Sequence, residues 1–173
     1  MKLLHLPILL IGIIAAQDVL AQRKLVDRRD QAEGWYVPIR GEVMAQGKKT
    51  DDFEVVLYRD NEEAGSIHMM KSDGQFELEL DIDQFYAIRI LKKGFQEKLI
   101  YVDTSLPKDL VVYPDYYCFL DLLPVGFDRV DQFYTDFPSA MVRFDPERKG
   151  FYHNEEYLGH IQQKLMGLAR ANF

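Results

Sequence analysis

The feature that most constrains this chain is a period-two alternation of apolar and polar residues. It is clearest over residues 75–80, where Phe76, Leu78 and Leu80 alternate with polar residues. Successive side chains of a strand point to opposite sides, so this segment predicts a half-buried strand with one solvated face. Similar short apolar runs recur along the chain, at 37–44, 53–58, 65–71, 86–90, 98–101 and 110–112.

Short turn-forming segments separate these runs. Asp73-Gly74 is the strongest hairpin signal, because glycine tolerates the positive φ that a type I′ turn requires. The gaps between the runs are too short to hold helices, which excludes a parallel α/β fold. Six or seven short strands at this spacing predict an antiparallel sandwich or barrel.

The first 21 residues have the pattern of a secretory signal peptide. Lys2 precedes an apolar run, Leu3–Ala16, that is shorter than the roughly 20 residues a membrane span needs, and the small residue Ala21 follows. A buried N-terminal helix is the alternative. The signal-peptide pattern predicts an exported chain. We expect no lipid anchor, because residue 22 is Gln and not Cys, and no membrane span, because no later apolar run is long enough.

The rest of the chain divides into three predicted parts. Residues 22–36 are a polar, flexible leader, residues 37–112 are the β-sandwich, and residues 113–173 are an irregular aromatic arm with a C-terminal α-helix packed on the sandwich. Asn154 is the expected N-cap of that helix. Its apolar stripe comprises Tyr157, Ile161, Leu165 and Leu168. The alternative is that this stripe binds a partner.

Composition and single residues limit the chemistry. A net charge of −7 argues against nucleic acid as a partner, because phosphate-binding surfaces need clustered cations. The lone Cys118 has apolar neighbours, which favours an inert buried thiol over a nucleophile. His153, Glu156 and His160 could align on one helix face and bind zinc. However, the H-E-x-x-H motif is absent, so we predict neither a metal nor another cofactor.

Aromatic residues are the main candidates for binding. Five of them stand at the start of the sandwich or after its last clear strand: Trp35, Tyr36, Tyr113, Tyr116 and Tyr117. Aromatic side chains anchor protein interfaces and also stack on sugars. The alternative is that they belong to the core or close the ends of the sandwich.

Residues 39–95 resemble the carboxypeptidase regulatory-like domain. Its marks here are Gly41-Glu42-Val43, Val55-Val56-Leu57-Tyr58, Ser72-Asp73-Gly74-Gln75-Phe76, Tyr86-Ala87-Ile88-Arg89-Ile90 and Lys93-Gly94-Phe95. The resemblance implies a mainly β, antiparallel, seven-stranded transthyretin-like sandwich that acts as a structural or interaction module without catalytic residues of its own.

The whole chain is also similar to small exported proteins of Bacteroidota-type bacteria, through Phe137-Pro138-Ser139-Ala140-Met141-Val142-Arg143-Phe144-Asp145 followed by Tyr157. This similarity implies an envelope protein that is located in the periplasm or at the inner face of the outer membrane. An extracellular location ranks second. We therefore predict a non-enzymatic interaction or scaffolding module with an envelope protein as partner. The alternatives are a carbohydrate-binding module and, third, a small metal-dependent hydrolase.

Overall fold

The computed structural model describes residues 24–26, 36–108, 110, 115–126, 138–161 and 163. They form eleven strands: β1 (Lys24–Val26), β2 (Tyr36–Ala45), β3 (Lys48–Lys49), β4 (Phe53–Arg59), β5 (Glu62–Met69), β6 (Gln75–Asp81), β7 (Phe85–Leu91), β8 (Lys98–Asp103), β9 (Tyr116–Leu122), β10 (Ala140–Asp145) and β11 (Gly150–His153). The predicted signal peptide, residues 1–21, lies outside the described residues. The prediction of a mainly β chain is confirmed.

The strands form two sheets with a common core. In the first sheet the order is β1-β6-β2, and both β3 and β9 pair with β2; in the second it is β11-β10-β8-β7-β4-β5. The inward residues predicted by alternation, such as Leu78 and Leu80, are fully buried against Leu57 and Ile88 of the other sheet. Burying both apolar faces against each other is what stabilises a sandwich.

Two-residue turns close two hairpins. Gln46-Gly47 joins β2 to β3, and Asp60-Asn61 joins β4 to β5. All four residues have a positive φ, between 53° and 74°. That is the backbone conformation of a type I′ turn, whose twist matches the twist of the paired strands.

The Asp73-Gly74 hairpin prediction is wrong in its pairing. Both residues have the positive φ that was expected, but β5 and β6 on either side of them lie in different sheets. The turn is instead held to β2, because the Val43 N–H donates to the Gly74 carbonyl at 2.8 Å. Turn chemistry is local, so it specifies a chain reversal without specifying the partner of the next strand.

The predicted antiparallel arrangement is wrong for three strand pairs. The pairs β1/β6, β2/β9 and β8/β10 are parallel. Parallel neighbours arise where a strand returns from a distant part of the chain, which short turns alone cannot indicate. The seven predicted strands are also too few.

The predicted boundaries of the sandwich also differ from the observed strands. Strands β9, β10 and β11 lie in the two sheets although they follow residue 112, where the sandwich was expected to end. Within the predicted arm, residues 140–145 and 150–153 are therefore strand and not irregular chain. Strand β1 lies in the leader that was predicted to be flexible, and Tyr36 already belongs to β2. A short edge strand such as β1 is held mainly by backbone hydrogen bonds to its neighbour, here β6. It therefore needs no apolar alternation, and the sequence of the leader shows little of it.

A buried ion pair joins the sheets at one end. Arg59 at the end of β4 places Nη1 3.4 Å from Oδ2 of Asp81 at the end of β6, and both side chains are buried. The Thr104 hydroxyl donates to the Asp81 carbonyl at 2.7 Å. Removing one partner of such a pair leaves a buried charge, so the pair favours this one alignment of the two sheets.

The C-terminal helix (α1) begins at residue 155 and is described through residue 161. Its predicted N-cap is confirmed, because Asn154 Oδ1 accepts a hydrogen bond from the Tyr157 N–H at 3.0 Å. The Tyr157 hydroxyl donates to the Pro138 carbonyl at 2.7 Å, which fixes the start of the helix against the chain leading into β10. Leu165 and Leu168 of the predicted stripe lie outside the described residues.

Candidate binding groove

A groove of about 420 Å³ crosses the outer face of the first sheet. We call it the outer groove; its outward-facing side chains are Arg40, Glu42, Gln75, Glu77, Tyr117 and Phe119. These six residues alternate with buried ones on β2, β6 and β9. The register pairs Arg40 with Glu77 on one side and Tyr117 on the other, and pairs Glu42 likewise with Gln75 and Phe119. The volume falls in the range of small-molecule sites.

The β9 side of the outer groove is aromatic. Tyr117 is 57% exposed and Phe119 is 70% exposed, two of the most exposed large apolar side chains in the described residues. They are two residues apart on one strand, so their rings stand on the same face about 7 Å apart. Neighbouring exposed aromatic rings make this side of the groove a candidate contact surface.

Arg40 is held across the floor of the outer groove. Its Nη1 donates to the Tyr117 hydroxyl at 2.8 Å and lies 2.8 Å from Asp115 Oδ2. Its guanidinium carbon is 5.7 Å from the centroid of the Tyr117 ring. The hydrogen bond to Tyr117 and the charge of Asp115 raise the pKa of Arg40 above its ordinary value. Arg40 thus orients Tyr117 and is itself largely compensated by Asp115.

Carboxylates form the rest of the charged lining. Glu77 Oε1 is 3.9 Å from Arg40 Nε, a longer contact than the one Arg40 makes with Asp115. Glu42 Oε2 has Lys49 Nζ at 3.6 Å, and the same ammonium also lies 3.6 Å from Asp73. With Arg40 committed to Asp115 and Lys49 shared, the outer groove presents a negative potential beside its aromatic wall.

The inner face of the same strands is closed and apolar. Gly41 lies under the ring of Phe76, where an added Cβ would come within 2.0 Å of a ring carbon. Burial raises the pKa of the Cys118 thiol to about 12 and raises the pKa of the Tyr116 hydroxyl well above its usual range. A thiol held protonated in this way is a poor nucleophile.

The residues that the sequence predicted for binding are separated by the fold. Tyr117 lines the outer groove, whereas Tyr116 is 8% exposed and points into the core. Tyr36 is half-buried at the start of β2, four residues from Arg40, or about 13 Å along the strand. Trp35 and Tyr113 lie outside the described residues.

The histidine and glutamate residues considered for zinc do not converge. His153 ends β11, whereas Glu156 and His160 lie on α1 beyond the Asn154 cap, so the three do not share one helix. Among the described residues, no group of three His, Cys, Asp or Glu side chains is arranged to hold a metal ion. No helix in the described ranges has the length and hydropathy needed to cross a membrane.

Sequence reasoning missed most of the outer groove. The signal that could have found Phe119 is the alternation over residues 116–122, because Asp121 shares its face and is polar. That face therefore had to be the solvated one. No such signal marks Arg40, Glu42 and Glu77. A charged residue on the polar face of a strand is ordinarily a solvated surface residue, and the sequence does not distinguish it from one that lines a groove.

Comparisons with known proteins give similarity at the level of structures. No family model and no curated protein matches the chain. Catechol 1,2-dioxygenase from Pseudomonas arvilla matches with a TM-score of 0.43 and 8% identity, over 64% of this chain and 58% of that one. 3-Chlorocatechol 1,2-dioxygenase from Rhodococcus opacus matches with a TM-score of 0.38 and 14% identity, over 58% of this chain and 62% of that one. The chain spans about three fifths of the length of these two proteins.

These neighbours correct the functional prediction. Hydroxyquinol 1,2-dioxygenase from Pseudomonas putida matches as well, with a TM-score of 0.35 and 11% identity over 63% of this chain and 68% of that one. The structures found are enzymes, which contradicts the prediction of a non-enzymatic interaction or scaffolding module. Identities of 8–14% and TM-scores below 0.5 do not carry the neighbours' activity to this chain.

Proposed function

We propose that this chain binds a small organic cation in the outer groove. The observation that carries the proposal is the meeting of two exposed aromatic rings, Tyr117 and Phe119, with the carboxylates of Glu42 and Glu77 in one groove. A cation over an aromatic face is attracted by the ring quadrupole. Carboxylates beside the ring add a Coulomb attraction that a neutral ligand does not receive.

The charge of the groove favours a cation over an anion. Among the described residues, Arg40 is the only cation in the lining of the outer groove, and its partner Asp115 lies 2.8 Å away. An anionic ligand would have to compete with Asp115 for Arg40 and approach Glu42 and Glu77 at close range. The chain as a whole carries a net charge of −7, which further attracts cations.

The test compares a cation with its neutral isostere. Choline and 3,3-dimethylbutan-1-ol have nearly the same shape and differ in charge. We expect choline to shift the backbone amide resonances of residues around Arg40, Glu77 and Phe119 in an NMR titration, with little response to the alcohol. Equal responses to both compounds, or shifts confined to other surfaces, would contradict the proposal.

A matched pair of variants locates the site. Phe119→Ala removes an aromatic wall of the groove and should weaken choline binding about two- to fivefold, the usual worth of an exposed cation–π contact. Phe85→Ala is the control, because Phe85 is also an exposed aromatic, at 49%, and lies on β7 in the other sheet. Unchanged binding in Phe119→Ala would place the cation elsewhere.

Export and family also belong to this proposal. The support for a carboxypeptidase regulatory-like, transthyretin-like sandwich is the motif set of residues 39–95.

The support for export is the pattern of residues 1–21, which has a charged start, a short apolar run and a small residue at its end. Expression with the native leader in a Gram-negative host should give a periplasmic chain that begins at Gln22. A cytoplasmic chain that retains Met1 would contradict export.

A further inference from the structure

A second cavity adjoins the outer groove at Tyr117. It has a volume of about 310 Å³ and lies between the start of β9 and β11, lined by Asp115, Tyr116, Tyr117, Lys149 and residues 150–153. We call it the edge cleft. Tyr117 lines both cavities, and the ion pair between Arg40 and Asp115 joins one lining to the other. A ligand that occupies both cavities therefore lies along Tyr117 beside this ion pair.

The edge cleft offers an ammonium group where the outer groove offers carboxylates. Lys149 is exposed, and within the described part of the chain it forms no ion pair. Asp115, the carboxylate in this lining, is already bound to Arg40 at 2.8 Å. His153, at the other end of β11, is exposed in the same lining and offers ring nitrogens for hydrogen bonding. The cleft therefore suits a carboxylate or another anionic group.

We infer that the ligand of this site is a zwitterion, with its cationic group in the outer groove and its anionic group in the edge cleft. This inference rests on the proposed function and names the ligand class more closely. The edge cleft includes Asp115, and the aromatic wall of the outer groove is formed by Tyr117 and Phe119, two and four residues further along the chain. At about 3.3 Å per residue, the two charges of the ligand should therefore lie roughly 7 to 13 Å apart. Ligands of this class are extended zwitterions and not compact α-amino acids.

The experiment uses probes that differ in one group at a time. They are 6-(trimethylammonio)hexanoate, which carries both charges at nearly this separation, hexyltrimethylammonium, which carries the cation alone, and glycine betaine, whose charges are close together. We expect the long zwitterion to bind about threefold more tightly than the cation alone, since one exposed ion pair is added. Glycine betaine should show no such gain.

Variants assign the gain to the edge cleft. Lys149 has a φ of 54°, and asparagine tolerates this backbone conformation, so Lys149→Asn removes the charge without straining the turn. This variant should lose the advantage of the long zwitterion and keep the affinity for hexyltrimethylammonium. Lys93→Asn, in the turn after β7, is the control and should change neither.

The outcomes separate the two proposals. If hexyltrimethylammonium does not bind, both proposals fail. If it binds and Phe119→Ala weakens it, but the long zwitterion gains nothing or keeps its gain in Lys149→Asn, only the inference about the zwitterion is overturned.

Discussion

The two faces of β9 carry similar residues, but one face is buried and the other is exposed. Tyr116, Cys118 and Leu120 point into the core, whereas Tyr117 and Phe119 stand in solvent. Two adjacent tyrosines therefore differ in their surroundings: burial raises the pKa of the Tyr116 hydroxyl, whereas the Tyr117 hydroxyl accepts a hydrogen bond from Arg40 in solvent. The difference shows that residue type alone does not mark a binding residue. The side of the strand decides whether an aromatic ring stabilises the fold or is available to a ligand.

Of the variants that test this comparison, Leu120→Ala should cause the largest loss of stability. Leu120 is 8% exposed on the inner face, and truncating a buried leucine typically costs about 2–5 kcal/mol of unfolding free energy. Urea unfolding followed by circular dichroism measures this loss. A cost below about 0.5 kcal/mol would mean that the inner face of β9 is not packed as described.

Gly41→Ala tests the closest approach beneath the groove. The added Cβ would overlap the ring of Phe76, which is 3% exposed, so we expect a loss of about 1–3 kcal/mol. In the Phe76→Leu background the same substitution should cost less, because the smaller side chain leaves room. Strictly additive costs for the two substitutions would argue against this contact.

Cys118→Ala tests the burial of the thiol through pH. The folded chain holds the Cys118 proton up to about pH 12, whereas the unfolded chain releases it near 9.0. Above pH 9 unfolding therefore releases a proton, and stability should fall as pH rises, by about 1.4 kcal/mol per unit. The measurement is the unfolding free energy at pH 8–11 for both proteins.

The alanine variant should lack this contribution and lose less stability over the same range. Parallel pH profiles for the two proteins would show that Cys118 is not the group responsible.

Phe119→Ala should have the smallest effect on stability. Its side chain is 70% exposed, so truncation should change the unfolding free energy by less than about 0.5 kcal/mol. Choline binding should nevertheless weaken, which would separate the outer face of β9 from its inner face by function as well as by energy. A loss of stability as large as that of Leu120→Ala would show that the outer face of β9 contributes to the fold as much as the inner face does.

Much of the secondary structure could be predicted from local pattern. The alternation over residues 75–80 became β6, and Asn154 caps α1 as its side chain and position indicated. Such features depend on neighbouring residues, which the sequence displays directly. Strand β10 was missed because Pro138 and Pro146 lie on either side of a short run, which made the segment resemble irregular chain.

The candidate site was predictable only in part. Tyr117 was among the predicted residues, but Tyr36 lies well away from the groove, and Arg40 was not considered. The three strands that form the outer groove span residues 36–122, and the parallel pairing of β2 with β9 brings their polar faces together. A pairing between segments so far apart leaves no trace in the local pattern of either segment.

The sequence by itself determined where β2 and β4 to β8 run, which of their faces are apolar and where the chain reverses between them, because these properties follow from side-chain alternation and from residues that tolerate positive φ. Only the tertiary structure decided which sheet each strand joins, in which direction β9 lies beside β2, and hence that Arg40, Glu77 and Phe119 share one groove. The physical reason is that backbone pairing is available to any strand edge. The choice among edges is made by how both sheets bury their apolar faces together.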